Sequence, residues 1–166
     1  MQTRRLALGA VLTALALALS VLENAIPIPI PLLGVKLSLA NIVTVFALYH
    51  LGTVSAFTIL VARCLLGSLF AGNVSALLFS LLGGLTAMAV MALLSHVKGL
   101  SLYGVSIAGA AGHNLGQMAA AVAVLGDTAV LGYLPFLLAI SLVTGSLTAL
   151  VSALLFRAMA HIPHLP

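Results

Sequence analysis

Thr53-Val54-Ser55-Ala56-Phe57-Thr58-Ile59-Leu60-Val61-Ala62-Arg63-Cys64-Leu65-Leu66-Gly67-Ser68-Leu69-Phe70-Ala71 is an apolar run of membrane-spanning length with one charge, Arg63, in its middle. A guanidinium at the centre of a bilayer costs at least about 2.5 kcal/mol unless it is paired or hydrated. Arg63 must therefore point inward, at a partner or a ligand, and not at lipid. The rest of the chain agrees with this reading. Of its 166 residues, 63% are hydrophobic and 5% charged, and the mean hydropathy is +1.33. Such a composition describes a polytopic α-helical membrane protein and excludes a soluble domain of this size. Six helices of about 20 residues use about 120 residues, which leaves only short loops. Any ATPase or large catalytic domain must then sit on another chain.

The sequence predicts one integral membrane domain over residues 1–166, an all-α bundle of six transmembrane helices at 6–22, 37–51, 53–70, 74–95, 102–125 and 130–159. The apolar run after Arg4 and Arg5 superficially resembles a signal peptide. It continues to Leu22 with no clear small-x-small cleavage site before Glu23, so it reads as a retained first span. Between Glu23 and Lys36, Pro27, Pro29 and Pro31 alternate with isoleucines. Prolines at alternate positions cannot be helical, since each lacks an N–H and constrains its predecessor. The expectation is a stiff, apolar, extended loop that lies over the bundle as a lid. Pro135 falls near the start of the last helix, where proline is best tolerated.

The net charge of +4 is scattered and suggests no nucleic-acid partner. It sets orientation instead. With the amino terminus inside, Arg4, Arg5, Lys98 and Arg157 fall on the cytoplasmic side, and Lys36 falls outside with Glu23 and Asp127. Both termini are then cytoplasmic by the positive-inside rule. The lone Cys64 excludes an internal disulfide.

Placed by depth, the polar residues cluster in the outer half. Glu23 and Asn24 end the first helix, Lys36 and Asn41 flank the second, and Arg63 is mid-span in the third. His113, Asn114 and Gln117 lie mid-span in the fifth, with helical spacing that makes Gln117 a neighbour of both others. These eight residues are the candidate substrate-binding set. Arg63 and Lys36 suit a carboxylate or phosphate, and aliphatic walls suit an apolar part of the same ligand. The competing reading is structural. Arg63 can pair with Glu23, and His113, Asn114 and Gln117 can tie helices together. Asn41 and Asn73 can cap helices, and Lys36 can be a snorkelling anchor.

Small residues recur at Ala10, Ala14 and Ala18, at Gly83-Gly84, at Ala108, Gly112 and Gly116, and at Ser141, Gly145 and Ala149. Such stripes permit close helix contact, within the bundle or, for the first helix, with a partner membrane subunit. The chain has no phosphate-binding Gly-Lys-Ser/Thr motif. One Asp and one Glu cannot supply paired magnesium-binding carboxylate clusters. No catalytic residue, cofactor or metal site is therefore expected.

Leu22-Glu23-Asn24-Ala25-Ile26-Pro27-Ile28-Pro29, Gly34-Val35-Lys36-Leu37-Ser38-Leu39-Ala40-Asn41-Ile42-Val43-Thr44, Arg63-Cys64-Leu65-Leu66-Gly67-Ser68 and Gly112-His113-Asn114-Leu115-Gly116-Gln117 stand in order along the chain. Together they resemble the bacterial membrane family labelled heptaprenyl diphosphate synthase component I, or Gx transporter. The transporter label implies kinship with the six-helix S components of energy-coupling-factor transporters. Those bind a vitamin-like small molecule and work with a separate transmembrane subunit and ATPases, which a stripe such as Ala10, Ala14 and Ala18 would face. The synthase label implies a part in menaquinone side-chain synthesis, here as a noncatalytic membrane partner of a soluble prenyl synthase. Either label implies a multi-pass protein of the bacterial cell membrane, in contact with lipid. The outward polar pocket favours the first.

Overall fold

The computed structural model describes residues 2–25 and 39–160, apart from the side chains at 2, 24, 25 and 160. Six α-helices make up almost all of it: α1 (Gln2–Ala25), α2 (Asn41–Leu51), α3 (Thr53–Ala71), α4 (Val74–Leu94), α5 (Leu102–Leu125) and α6 (Leu134–Ala160). A 3-10 turn (Thr128–Tyr133) leads into α6 and places Pro135 in that helix's first turn, where no intrahelical N–H is lost. No strand occurs among the described residues.

The connections after α2 are short and locally determined. Gly72 ends α3 in the left-handed conformation (φ 60°), which costs a glycine nothing. Asn73 then caps α4, its Oδ1 accepting from the Ser75 and Ala76 amides at 2.9 and 3.3 Å. Ser101 caps α5 through the Gly104 amide, and Asp127 accepts from the Ala129 amide at the entry to the 3-10 turn.

Helix α2 sets the architecture. Every residue from Asn41 to Leu48 is buried. It packs against α1, α3, α4 and α6, so it is enclosed and not a short span facing lipid. A helix that is apolar all round belongs in an interior. Around it α1 packs on α3, α3 on α4, α4 on α5 and α5 on α6. The main core joins Val43, Val45, Phe46, Ala47 and Leu48 of α2 to Leu12, Ala16, Leu60, Met88, Met91 and Val105. Leu6, Val54, Leu69, Phe70, Val74, Leu93 and Val143 face outward.

Three sequence-level boundaries shift. Helix α1 extends to Ala25 and so contains Glu23. Helix α2 begins at Asn41. Helix α6 proper begins at Leu134. Among the described residues, four helical segments are long and apolar enough to cross a membrane: Thr3–Glu23, Thr53–Ala71, Val74–Leu94 and Thr128–Met159. Helix α2 is too short to be one of them, and the glycines and buried polar side chains of α5 lower its apolarity.

Glycine stripes bring α5 against its neighbours. A Cβ on Gly116 would strike Thr86 Oγ1 and the Leu82 carbonyl, and one on Gly145 would strike the Ile107 backbone. At this distance the Thr86 hydroxyl donates to the Gly112 carbonyl across the interface (2.7 Å). The small stripe on α1 behaves differently: Ala10, Ala14 and Ala18 are exposed, while Leu12 and Ala16 face the core.

Candidate binding site

A cavity of about 200 Å³ lies where α1 and α3 finish and α2 and α4 start. It is lined by Leu17, Ser20, Val21 and Glu23 of α1, Ala40 and Asn41 at the head of α2, and Arg63, Cys64 and Gly67 of α3. Ser80 of α4 and His113 of α5 complete its deep side. Four residues singled out in the sequence, Glu23, Asn41, Arg63 and His113, thus converge from four helices.

Arg63 is 8% exposed. It forms no ion pair or hydrogen bond with another described residue, and its Nε is buried without a partner among them. The pairing of Arg63 with Glu23 that the sequence allowed is accordingly not formed, although both line the cavity. Glu23 is buried and is engaged in an interaction of its own. The Arg63 guanidinium reaches toward α4, where a Cβ at Gly84 would meet its Nη2 in ordinary contact at 3.6 Å. Gly83 leaves room for His113 and Gln117, with a Cβ falling 2.9 Å from His113 Cε1 and 3.0 Å from Gln117 Cγ.

Asn41 does not cap its helix. The N-cap position of α2 is Ala40, with no side-chain cap bond. Both atoms of the Asn41 amide are buried and lack partners among the described residues. The cavity wall thus carries one cation, Arg63, and the head of α2, whose dipole favours negative charge, together with the Glu23 carboxyl, which opposes it.

The other expected contacts separate from this group. Asn114 turns to α6, where its Nδ2 donates to the Leu137 carbonyl and to Ser141 Oγ, both at 2.9 Å. Gln117 is buried beside Gly83 but is not among the lining residues. Lys36 lies outside the described residues, as do the side chain of Asn24 and the proline segment. Ser20, Cys64 and Ser80 were missed as lining residues. Cys64 Sγ donates to the Ser80 carbonyl (3.5 Å), and its place beside Arg63 was the available signal. No group of three or more His, Cys, Asp or Glu suited to a metal ion occurs among the described residues.

An all-helical bundle that has, among the described residues, four membrane-length apolar segments, and a mostly apolar cavity with a few polar side chains between its helices, marks an integral membrane protein. A family model, heptaprenyl diphosphate synthase component I, matches residues 12–155, and the chain belongs to that family. No curated protein and no solved structure gives a significant match to the chain.

Proposed function

We propose that this protein is a membrane-embedded substrate-binding subunit, similar to an S component of an uptake transporter, that holds the anionic group of a small molecule at Arg63. The observation that carries the reading is the buried guanidinium on the cavity wall with no ion-pair partner among the described residues. A protein does not keep such a charge within a bilayer without use for it. Asn41, Glu23 and His113 complete the contacts. In this reading all six helices form the membrane bundle, both termini are cytoplasmic, and the cavity opens to the outside of a bacterial inner membrane. The exposed Ala10, Ala14 and Ala18 face supports docking of a coupling transmembrane subunit, which in turn binds ATPases.

The family description favours a second reading, a noncatalytic membrane component of a two-part prenyl diphosphate synthase. Cavity size weighs against direct binding of its product: 200 Å³ is about seven water volumes, far less than a heptaprenyl chain.

Native mass spectrometry of the gently solubilised protein, with identification of released small molecules, tests both. A water-soluble anion retained by the wild type and lost in Arg63→Leu supports the binding-subunit reading. A retained prenyl diphosphate, or a co-purifying soluble synthase, moves the protein to isoprenoid synthesis.

A further inference from the structure

Asn41 and Arg63 have unmet needs of different kinds. Arg63 can only donate. Asn41 is 3% exposed and lines the cavity, with both Oδ1 and Nδ2 buried and unpartnered among the described residues. A primary amide presents one acceptor and two donors in a single plane. Exchanging its two terminal atoms changes their places and not the requirement. In the empty cavity, which has room for about seven waters, water can meet these needs; a ligand that displaces this water must replace its hydrogen bonds, because an amide left unsatisfied is costly.

A carboxylate or diphosphate satisfies Arg63 but supplies acceptors only, so Asn41 Oδ1 would stay unfilled. A lactam, carboxamide or ureido edge carries an N–H beside a C=O and satisfies both amide atoms at once. The head of α2 favours negative charge in the same space. The cavity's volume of about 200 Å³ suits a compact molecule.

We infer that the ligand is a compact anion bearing an amide-type edge, its anionic group on Arg63 and its edge on Asn41. This rests on the reading of the cavity as a ligand site. It narrows the substrate to a class that an all-acceptor diphosphate does not belong to.

The test is equilibrium binding to the full-length protein in lipid nanodiscs with three probes. These are 5-oxoproline (a lactam carboxylate), cyclopentanecarboxylate (similar in size, without the amide edge) and inorganic diphosphate. The expected result is that 5-oxoproline binds at least about 30-fold more tightly than either other probe, the value for one to two unsatisfied amide atoms. Asn41→Leu should reduce 5-oxoproline to the level of cyclopentanecarboxylate, whose affinity stays unchanged, and Arg63→Leu should abolish both. Equal affinities for the two carboxylates, or strongest binding of diphosphate, with dependence on Arg63 intact, would overturn the amide-edge inference and leave the anion site standing. Absence of any Arg63-dependent binding would remove the ligand-site reading itself, and this inference with it. The wild-type ranking of the probes needs no variant, so a misfolded Asn41→Leu leaves the test decisive.

Discussion

The imidazole of His113 occupies the space that a side chain at position 83 would need, with a Cβ on Gly83 falling 2.9 Å from His113 Cε1. The adjacent Gly84 does the same for Leu60, whose Cδ1 would lie 2.7 Å from an added Cβ, and sits close to Arg63. One Gly-Gly pair on α4 therefore admits side chains from two other helices, His113 and Gln117 of α5 and Leu60 of α3. Gly83→Leu is expected to displace His113 and to cost about 1–3 kcal/mol through overpacking. Ligand affinity should fall more than stability does. Parallel thermal melting and binding measurements on the purified variant check this, and an unchanged affinity would place His113 outside the site.

Glycines that meet backbone should be less forgiving than those that meet side-chain ends. A Cβ on Gly116 would strike the Leu82 carbonyl, and one on Gly145 the Ile107 backbone, while Gly9 and Gly132 have nothing within 4 Å. Gly116→Ala and Gly145→Ala should each lower stability by about 2 kcal/mol or more, because helix axes must separate. Gly9→Ala should be neutral or slightly stabilising. Thermal melting of the three variants in one detergent gives the order, and a melting point for Gly116→Ala equal to wild type would contradict the packing described.

Asn114 is expected to be a structural residue. Its amide bonds hold α5 to α6 through Leu137 and Ser141. Asn114→Ala should cost about 1–2 kcal/mol and leave Arg63-dependent binding within about twofold, a change smaller than one lost hydrogen bond would cause. A large loss of affinity with unchanged melting would reverse the assignment.

Much of this arrangement was legible in the sequence, for identifiable reasons. Alternation of helix direction forces the end of α1, the head of α2 and the end of α3 together, so Glu23, Asn41 and Arg63 were readable as one group from depth alone. Neighbouring residues on one helix were harder. His113 and Asn114 differ by about 100° around α5, and that helix is packed on two sides, so one turns to the cavity and α4 and the other to α6. Sequence spacing gives the angle between them but not which neighbour each meets. The enclosure of α2 was also hidden: an apolar helix facing lipid and one facing protein have the same composition. Only its brevity hinted at an interior place.

Removing the Arg63 charge separates its two meanings most directly. If the guanidinium serves a ligand, Arg63→Leu deletes an uncompensated buried cation from the empty protein and should leave stability equal or raise it, since such a charge costs about 2.5–3.5 kcal/mol in a span. Binding of any anionic ligand should fall by about 100-fold or more, the value of a charge-assisted contact in a dry site. Arg63→Lys should retain part of the affinity, because a point charge replaces a planar fork. Melting temperature and affinity measured on the same preparations of both variants give the answer. A several-degree fall in melting temperature for Arg63→Leu in the ligand-free protein would mean that Arg63 holds helices together, and the cavity would then have lost its main claim to be a binding site.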